Sequence, residues 1–275
     1  MTPAATAPVK LGHCHPAFAF AFFRERLPEE TRRGATAIQT VSLSLHRFPG
    51  PGARLWAFSQ MLLARFSLAR VPHLGFWKLL GSGTGEGFDP RPNTAVYAIL
   101  ATWPDRPTAE RQIRDAAVFR RFRRHAGESW TVFLHPLSSR GAWSGRAPFA
   151  PEPRGPSGPV ASLTRASVRL AHLPRFWRRV PAISRRIGAD PNVLFKIGVG
   201  EVPWLHQVTF SIWPDEASMA AFARAGGPHA EAIRAVRDGG WFSEELYARF
   251  EVVGEAGAWG GSSPLARWRT MARCA

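Results

Sequence analysis

Acid is scarce in this chain: 20 Asp and Glu stand against 36 Lys and Arg, a formal charge of +16 over 275 residues. That imbalance excludes an acidic, solvating class and predicts attraction to something anionic, whether nucleic acid, a membrane surface or an acidic protein. Cysteine is scarcer still. Cys14 and Cys274 both sit in terminal segments, which excludes a disulfide framework and a cysteine metal cluster and suits a reducing cytoplasm. No apolar run approaches the roughly 18 residues that span a bilayer. The longest candidate, Ala17 to Phe23, is preceded by His13, His15 and Pro16 and followed by Arg24-Glu25-Arg26. That segment also lacks the basic start and small-residue cleavage pattern of a signal peptide, so residues 1–37 read as a flexible N-terminal extension and the fold is expected to start near Ile38. What the chain does have is 45% hydrophobic and 12% aromatic content, ample core for one large domain or two small ones.

Prolines 148, 151, 153, 156 and 159, with Gly155 and Gly158, forbid helix interiors and central strands and mark residues 148–160 as a linker. It separates two segments, 38–147 and 161–260, that match in order, with residues 261–275 left as a C-terminal tail. Arg54-Leu55-Trp56 answers Arg175-Phe176-Trp177, and Phe76-Trp77-Lys78 answers Leu194-Phe195-Lys196. Gly83-Thr84-Gly85-Glu86 answers Gly198-Val199-Gly200-Glu201, Trp103-Pro104-Asp105 answers Trp213-Pro214-Asp215, and Gly141-Ala142-Trp143 answers Gly257-Ala258-Trp259. The chain has three lysines, and this alignment puts two of them, Lys78 and Lys196, on matching positions.

Each half reads as the same string. Period-2 runs at 41–48 and 163–170 precede helical stretches starting near Arg54 and Pro174. Strands are expected at 76–81 and 95–103 in the first half, and at 193–199 and 205–213 in the second. The Pro-Asp after each tryptophan ends a strand and offers an aspartate cap to the next helix. That helix is expected over about 107–124 in the first half; in the second, Gly226-Gly227 breaks it and Pro228 restarts it. Last strands at 131–135 and 246–253 complete a βαββαβ unit in each half. The fold class is therefore α+β: two tandem ferredoxin-like repeats that pack sheet on sheet into a pseudo-dimeric α+β barrel, the chain acting as its own dimer.

Differences between matched positions are where a duplicated fold carries chemistry. His206 faces Val96 in the comparison and His229 faces Phe119. His206 shares a strand face with Val208, Phe210 and Ile212, so its imidazole points among apolar neighbours. His229, just after Pro228, has Ile233 and Val236 on its helix face, and a first-turn position disfavours its cation, leaving the neutral form that ligates metal. Either histidine also reads as an ordinary core residue bonded to a carbonyl. The remaining histidines have no partner at a recognisable ligand spacing. The 83–87 glycine loop lacks a P-loop ending, and the dinucleotide fingerprint, nucleophile elbow and His-Glu-x-x-His helix are absent.

Arginines crowd 111–124 and 165–186. A face carrying Phe176, Trp177, Arg178 and Arg179 suits anionic headgroups with aromatics at the interface, or an acidic electron carrier.

The strings Leu194-Phe195-Lys196-Ile197-Gly198-Val199-Gly200-Glu201-Val202-Pro203 and His206-Gln207-Val208-Thr209-Phe210-Ser211-Ile212-Trp213-Pro214-Asp215 closely resemble the spheroidene monooxygenases of purple bacteria. Gly227-Pro228-His229-Ala230, Trp241 to Phe250, Gln39 to Leu43 and Leu163 to Ala166 look like the same family, and the resemblance runs from about Gln39 to Leu265. It implies a haem b enzyme that uses O2 and reduced ferredoxin to place a C-2 keto group on an acyclic carotenoid by two hydroxylations and loss of water. It further implies a cytoplasmic protein, peripherally associated with the inner or photosynthetic membrane, that binds no nucleic acid and holds the long polyene in an apolar interior. With no thiolate in the core, imidazole is the expected iron ligand. His229 is favoured over His206, because related haem proteins of this barrel take their proximal histidine from a helix on the second sheet. His206, Gln207 and Thr209 are then expected to serve catalysis, and Arg165 and Lys196 to hold the haem propionates. Two other readings compete: a basic ligand- or nucleic-acid-binding module, and a haem enzyme of the same barrel class acting on a small oxidant.

Overall fold

The computed structural model describes residues 38–85, 89, 91–152, 154–178, 190–224 and 240–274. The N-terminal extension, the Gly226-Gly227-Pro228 break, His229 and Arg179 lie outside the described residues.

Eight antiparallel strands close into one barrel in the order β1-β3-β2-β6-β7-β5-β8-β4. They are β1 (Thr40–Arg47), β2 (Trp77–Gly83), β3 (Pro92–Trp103), β4 (Glu128–Gly141), β5 (Val160–Val168), β6 (Phe195–Gly200), β7 (His206–Trp213) and β8 (Phe242–Gly257). Within each half the spatial order is last, first, third, second, as the ferredoxin-like reading requires. Trp103 and Trp213 hold equivalent strand ends, opposite Thr40 and Val160. Two seams join the halves: a long one in which Trp130 pairs with Gly257 and Gly141 with Leu246, and a short one of Gly81 with Gly200 and Ser82 with Val199. The long seam reads the same from either half, which makes the two barrel mouths pseudo-equivalent. Gly141 and Gly257 end that seam at φ +97° and +86°, and a Cβ on either would run into the carbonyl oxygen of Glu245 or Ser129. Glycine is required there twice over, by backbone angle and by space.

The helices are α1 (Pro51–Leu68), α2 (Arg106–Asp115), α3 (Ala117–His125), α4 (Glu216–Arg224) and α5 (Ala266–Cys274); residues 173–178 are also helical. Asp105 caps α2 by accepting from the Thr108 amide at 2.7 Å, and Asp215 accepts from Ser218 at 2.7 Å, as the paired Trp-Pro-Asp predicts. The single helix expected over 107–124 is two, because Ala116 takes an extended conformation (ψ 136°) between them. The turn lets α3 bury Val118, Phe119 and Phe122.

Described residues of both the tail and the linker pack on the barrel. Leu265 is buried in the barrel core, α5 follows it, and Arg269 of α5 pairs with Glu255. In the linker region Phe149 is buried and meets Phe250 edge-on at 5.1 Å, while Gln39 bonds Pro148 and Ala150. Proline limits the backbone without preventing burial of the side chains beside it.

Alternating side chains make two layers. Inward residues such as Leu43, Leu100, Trp130, Leu163, Phe210 and Phe250 fill the barrel, as expected for eight strands, whose interior is just wide enough for side chains. The apolar interior expected to receive a polyene is therefore packed core. Outside the first sheet, Trp77, Leu79, Ile99, Trp103 and Phe133 pack under α1, α2 and α3. Outside the second sheet the described apolar cluster is small: Val160, Trp213 and Met219, with Val193 and Phe222 against them.

His46 lies in the first outer layer, fully buried, with Nδ1 2.9 Å from Ser129 Oγ and its ring 5.3 Å from Phe122. Burial, and secondarily Arg123, pulls its pKa down to about 3. The unfolded chain then binds the proton more readily than the folded one. This group's stabilising contribution is complete above the ordinary value near 6.5 and is lost as pH falls toward 3. We expect His46→Leu to lower the acid-unfolding midpoint by roughly half a pH unit or more, followed by far-UV circular dichroism.

Candidate active site

The two mouths share geometry and differ in chemistry. The β2–β3 and β6–β7 registers pair Lys78 with Leu100 and Lys196 with Ser211. Since Leu100 and Phe210 are equivalent, the counterpart of Lys78 is Ile197 and that of Lys196 is Trp77. The lysine match read from the sequence is thus off by one residue, and one residue turns a strand side chain to the other face. Lys78 points into the barrel mouth. Lys196 points to the outer face of the second sheet.

At the first mouth a charged cluster closes the barrel. Lys78 Nζ lies 2.9 Å from Glu201 Oε1 and 2.8 Å from Ser144 Oγ. The Trp143 indole donates to Glu201 Oε2 at 2.6 Å. Arg165, 2% exposed, pairs with Glu244 and lies 3.7 Å from Glu201, its guanidinium 5.8 Å from the centre of the Trp143 ring. Glu244 also accepts the amides of Ser144 (3.0 Å) and Gly145 (2.7 Å). Partial burial acts to raise its pKa, but those amides and Arg165 outweigh it and hold the carboxyl below the ordinary range. His206 Nδ1 sits 3.8 Å from Glu201. Burial lowers the imidazole pKa, the Glu201 carboxylate opposes this, and the Arg165 and Lys78 cations add to it, so the ring is neutral at pH 7. The adjoining β6–β7 loop holds Trp204 half exposed at φ +67°, and Trp177 donates to its carbonyl at 3.2 Å. A bulky residue in that conformation stores strain, a feature that concentrates at functional sites.

The opposite mouth repeats the frame with other charged groups: Arg47 lies 3.5 Å from Glu128, and Glu255 accepts from the Trp130 indole at 2.6 Å and pairs with Arg269. Gly261 donates to Glu128 at 2.7 Å, as Gly145 does to Glu244, and Arg47 stacks on Trp259 at 4.6 Å. Where the first mouth has Lys78, Arg165 and His206, this one has Ile197, Leu45 and Val96. An open cleft of about 600 Å3 lies here, lined by Val96, Leu194, Phe195, Ile197 and Trp259 with Arg47, Asp190 and Lys196 at its margin.

The predicted site residues therefore divide between faces. His206 and Arg165 point inward at the charged mouth; Lys196, Gln207 and Thr209 point outward on the second sheet. There the second half carries Thr209 and Gly198 where the first half has Ile99 and Leu79, while Ser162 matches Ser42. Thr209 and Ser162 are only partly covered by described residues, whereas Ile99 and Ser42 are fully buried. Among the described residues no group of three His, Cys, Asp or Glu side chains gathers into a metal site. Reasoning from sequence assigned no role to Lys78, Trp143, Glu201 or Glu244. The available signal was the rarity of lysine together with Arg165 standing where Leu45 stands in the first half.

No family model matches the chain. It is 51% identical over 230 residues to a spheroidene monooxygenase of Cereibacter sphaeroides, covering 83% of this chain and 71% of that protein. A spheroidene monooxygenase of Rhodobacter capsulatus is also 51% identical, with 82% and 95% covered, and one of Rubrivivax gelatinosus is 32% identical, with 88% and 92% covered. Among solved structures, an aldoxime dehydratase in complex with butyraldoxime aligns at a TM-score of 0.57 and 12% identity over 86% of this chain and 87% of its own. That likeness establishes the two-repeat barrel and nothing of the chemistry.

Proposed function

Because the chain belongs to the spheroidene monooxygenase family, we propose that it is a haem-dependent oxygenase that converts the C-2 methylene of an acyclic carotenoid to a ketone, drawing electrons from reduced ferredoxin. The observation that carries this reading is the high identity, across nearly all of the structured chain, to proteins bearing that name. Two hydroxylations at one carbon produce a geminal diol, and loss of water leaves the ketone.

The outer face of the second sheet suits a flat group. Its centre carries Thr209 and Gly198 where the first sheet carries Ile99 and Leu79, Lys196 and Gln207 lie at positions able to pair with propionates, and Thr209 offers a hydroxyl on the same face. Of the two propionate candidates, Arg165 points to the inner side, where it pairs with Glu201 and Glu244, and Lys196 points to the same outer face as Gln207 and Thr209. His229, which lies outside the described residues, is the residue proposed to ligate the iron. When bound, haem supplies activation of O2 for C–H hydroxylation. The chain's own part is to hold the group, to keep water from the reacting carbon and to orient the polyene, for one end of which the cleft beside Lys196 has a suitable apolar lining. His206 faces the inner side at the charged mouth, where burial and the Arg165 and Lys78 cations disfavour its protonated form and the Glu201 carboxylate opposes them, so the role proposed for it is that of a neutral imidazole.

Pigment extraction from a host that makes acyclic carotenoids and expresses this chain with a compatible ferredoxin tests the reading. The expected result is a new, red-shifted ketocarotenoid with the mass change of CH2 to C=O. Unchanged pigments beside folded, haem-loaded protein would overturn it.

A further inference from the structure

Helix α1 is built inside out. Its sheet-facing side carries small or polar residues, Ala57, Gln60 and Ala64, closed by Leu68, all buried. Its large apolar residues face solvent: Leu55 is 70% exposed, Phe58 67%, Leu62 66%, Phe66 55% and Leu63 53%. At 100° per residue these five fall within one continuous arc, with Ser59 the one polar residue inside it. A surface helix of a soluble domain normally shows the opposite arrangement, and an apolar patch of this kind marks an interaction surface.

What covers it is indicated by the charges around it. Arg54 and Arg65 border the arc on one side and Arg70 extends from its C-terminal end, all exposed. On the neighbouring α3, Arg120, Arg121 and Arg124 add three more cations, with Arg121 bonded to Ser67 of α1 at 2.8 Å. Neither α1 nor α3 contains an acid. An apolar helix face rimmed by arginine alone is complementary to an anionic lipid surface, where leucine and phenylalanine enter the acyl boundary and guanidinium groups pair with headgroup phosphates. At the place of α1 in the second half, the described helical residues are 173–178. Phe176 packs edge-on against Phe242 and Trp177 is bonded to the Trp204 carbonyl. The aromatics expected from the sequence to meet a membrane are thus half-buried in protein contacts.

We infer that α1, with its Leu55, Phe58, Leu62, Leu63 and Phe66 face and the arginines of α1 and α3, seats this protein on an anionic bilayer. No described helix is long and apolar enough to cross a membrane, so the seating is in the interface plane. The inference deepens the carotenoid reading, since a long hydrocarbon substrate resides in lipid, but its first test needs neither haem nor carotenoid.

The experiment is flotation of the purified full-length protein with vesicles of equal parts phosphatidylglycerol and phosphatidylcholine, and with phosphatidylcholine alone. Wild type is expected to float with the anionic vesicles and to release as salt rises. Leu62→Gln/Phe66→Gln should weaken vesicle partitioning at least about ten-fold, and Arg65→Glu/Arg70→Glu should weaken it and flatten the salt dependence. Both pairs are solvent-facing, and an unchanged thermal midpoint verifies the fold. Equal flotation of wild type and both variants would overturn the inference. So would sedimentation showing a dimer that Leu62→Gln/Phe66→Gln dissociates while vesicle binding stays unchanged, since a second copy would then be the occupant. Turnover separates this reading from the catalytic one: the apolar variant should lose activity on vesicle-embedded carotenoid and keep it on detergent-dispersed carotenoid. If vesicle binding behaves as expected and no ketone forms in either setting, the catalytic reading fails and the docking surface stands.

Discussion

His229→Ala is expected to lose haem retention, with affinity falling by at least about 100-fold, beyond the ~10–100-fold that loss of an outer-shell partner costs. Ketone formation should disappear with it. The first half supplies the physical basis. Phe119, the counterpart of His229 by count, is fully buried between α3 and the sheet, its ring 6.0 Å from Trp103. His229 itself lies outside the described residues; the sheet of its half carries Thr209 and Gly198 on the outer face where the first half carries Ile99 and Leu79. His206→Ala should instead retain haem and lower turnover, because its imidazole sits on the inner face, beside Glu201, with the sheet between it and Thr209. The Soret band and its shift with added imidazole check both variants. Exchanged outcomes would make His206 the ligand; normal spectra in both would exclude both.

Arg165→Leu should destabilise the fold by about 3–5 kcal/mol, because it leaves Glu244 and Glu201 at the barrel mouth without their shared cation. Leucine is the residue the other mouth carries at the matching position, Leu45, so the shape is tolerated there and the loss comes from charge. Adding Glu244→Gln to Arg165→Leu should recover part of the loss, and the non-additivity measures the pair. Urea unfolding of the four proteins in that cycle gives the numbers. The wild type should also weaken in acid: the folded Glu244 pKa lies below its unfolded value, so its contribution is present above the unfolded value and fades as pH falls through the folded one. In Glu244→Gln that part of the acid dependence should be absent. A purely additive cycle would mean that the ion pair contributes nothing to the closure of this mouth.

Local chemistry made much of the architecture readable. Trp-Pro-Asp occurs twice because a strand must end and a helix must be capped twice, and both aspartates make that bond. Gly-Ala-Trp occurs twice because each end of the β4–β8 seam needs a glycine at positive φ with a carbonyl where its side chain would be. Errors arose where a local pattern left two solutions open. The Phe-Trp-Lys and Leu-Phe-Lys strings align equally well to the eye at a one-residue offset, and only pairing with β3 and β7 chooses between them. The helix break at Ala116 has no proline or glycine to announce it, and the burial of Phe149 depends on a ring, Phe250, that is distant in sequence.

The sequence by itself determined the duplication, the βαββαβ order, the caps, the basic balance and the kinship with carotenoid oxygenases, since each rests on neighbours a few residues apart or on strings long enough to compare. Only the tertiary structure decided which face each site residue occupies. Closing the barrel brings Lys78, Trp143, Arg165, Glu201 and Glu244 together from five separate stretches of chain, and strand alternation puts His206 and Thr209 on opposite sides of one sheet. It also decided which apolar residues remain outside. Leu62 and Phe66 read as ordinary helix core until Ala57 and Ala64 are seen to take the buried side, because the orientation of a helix on its sheet is set by what the sheet presents to it.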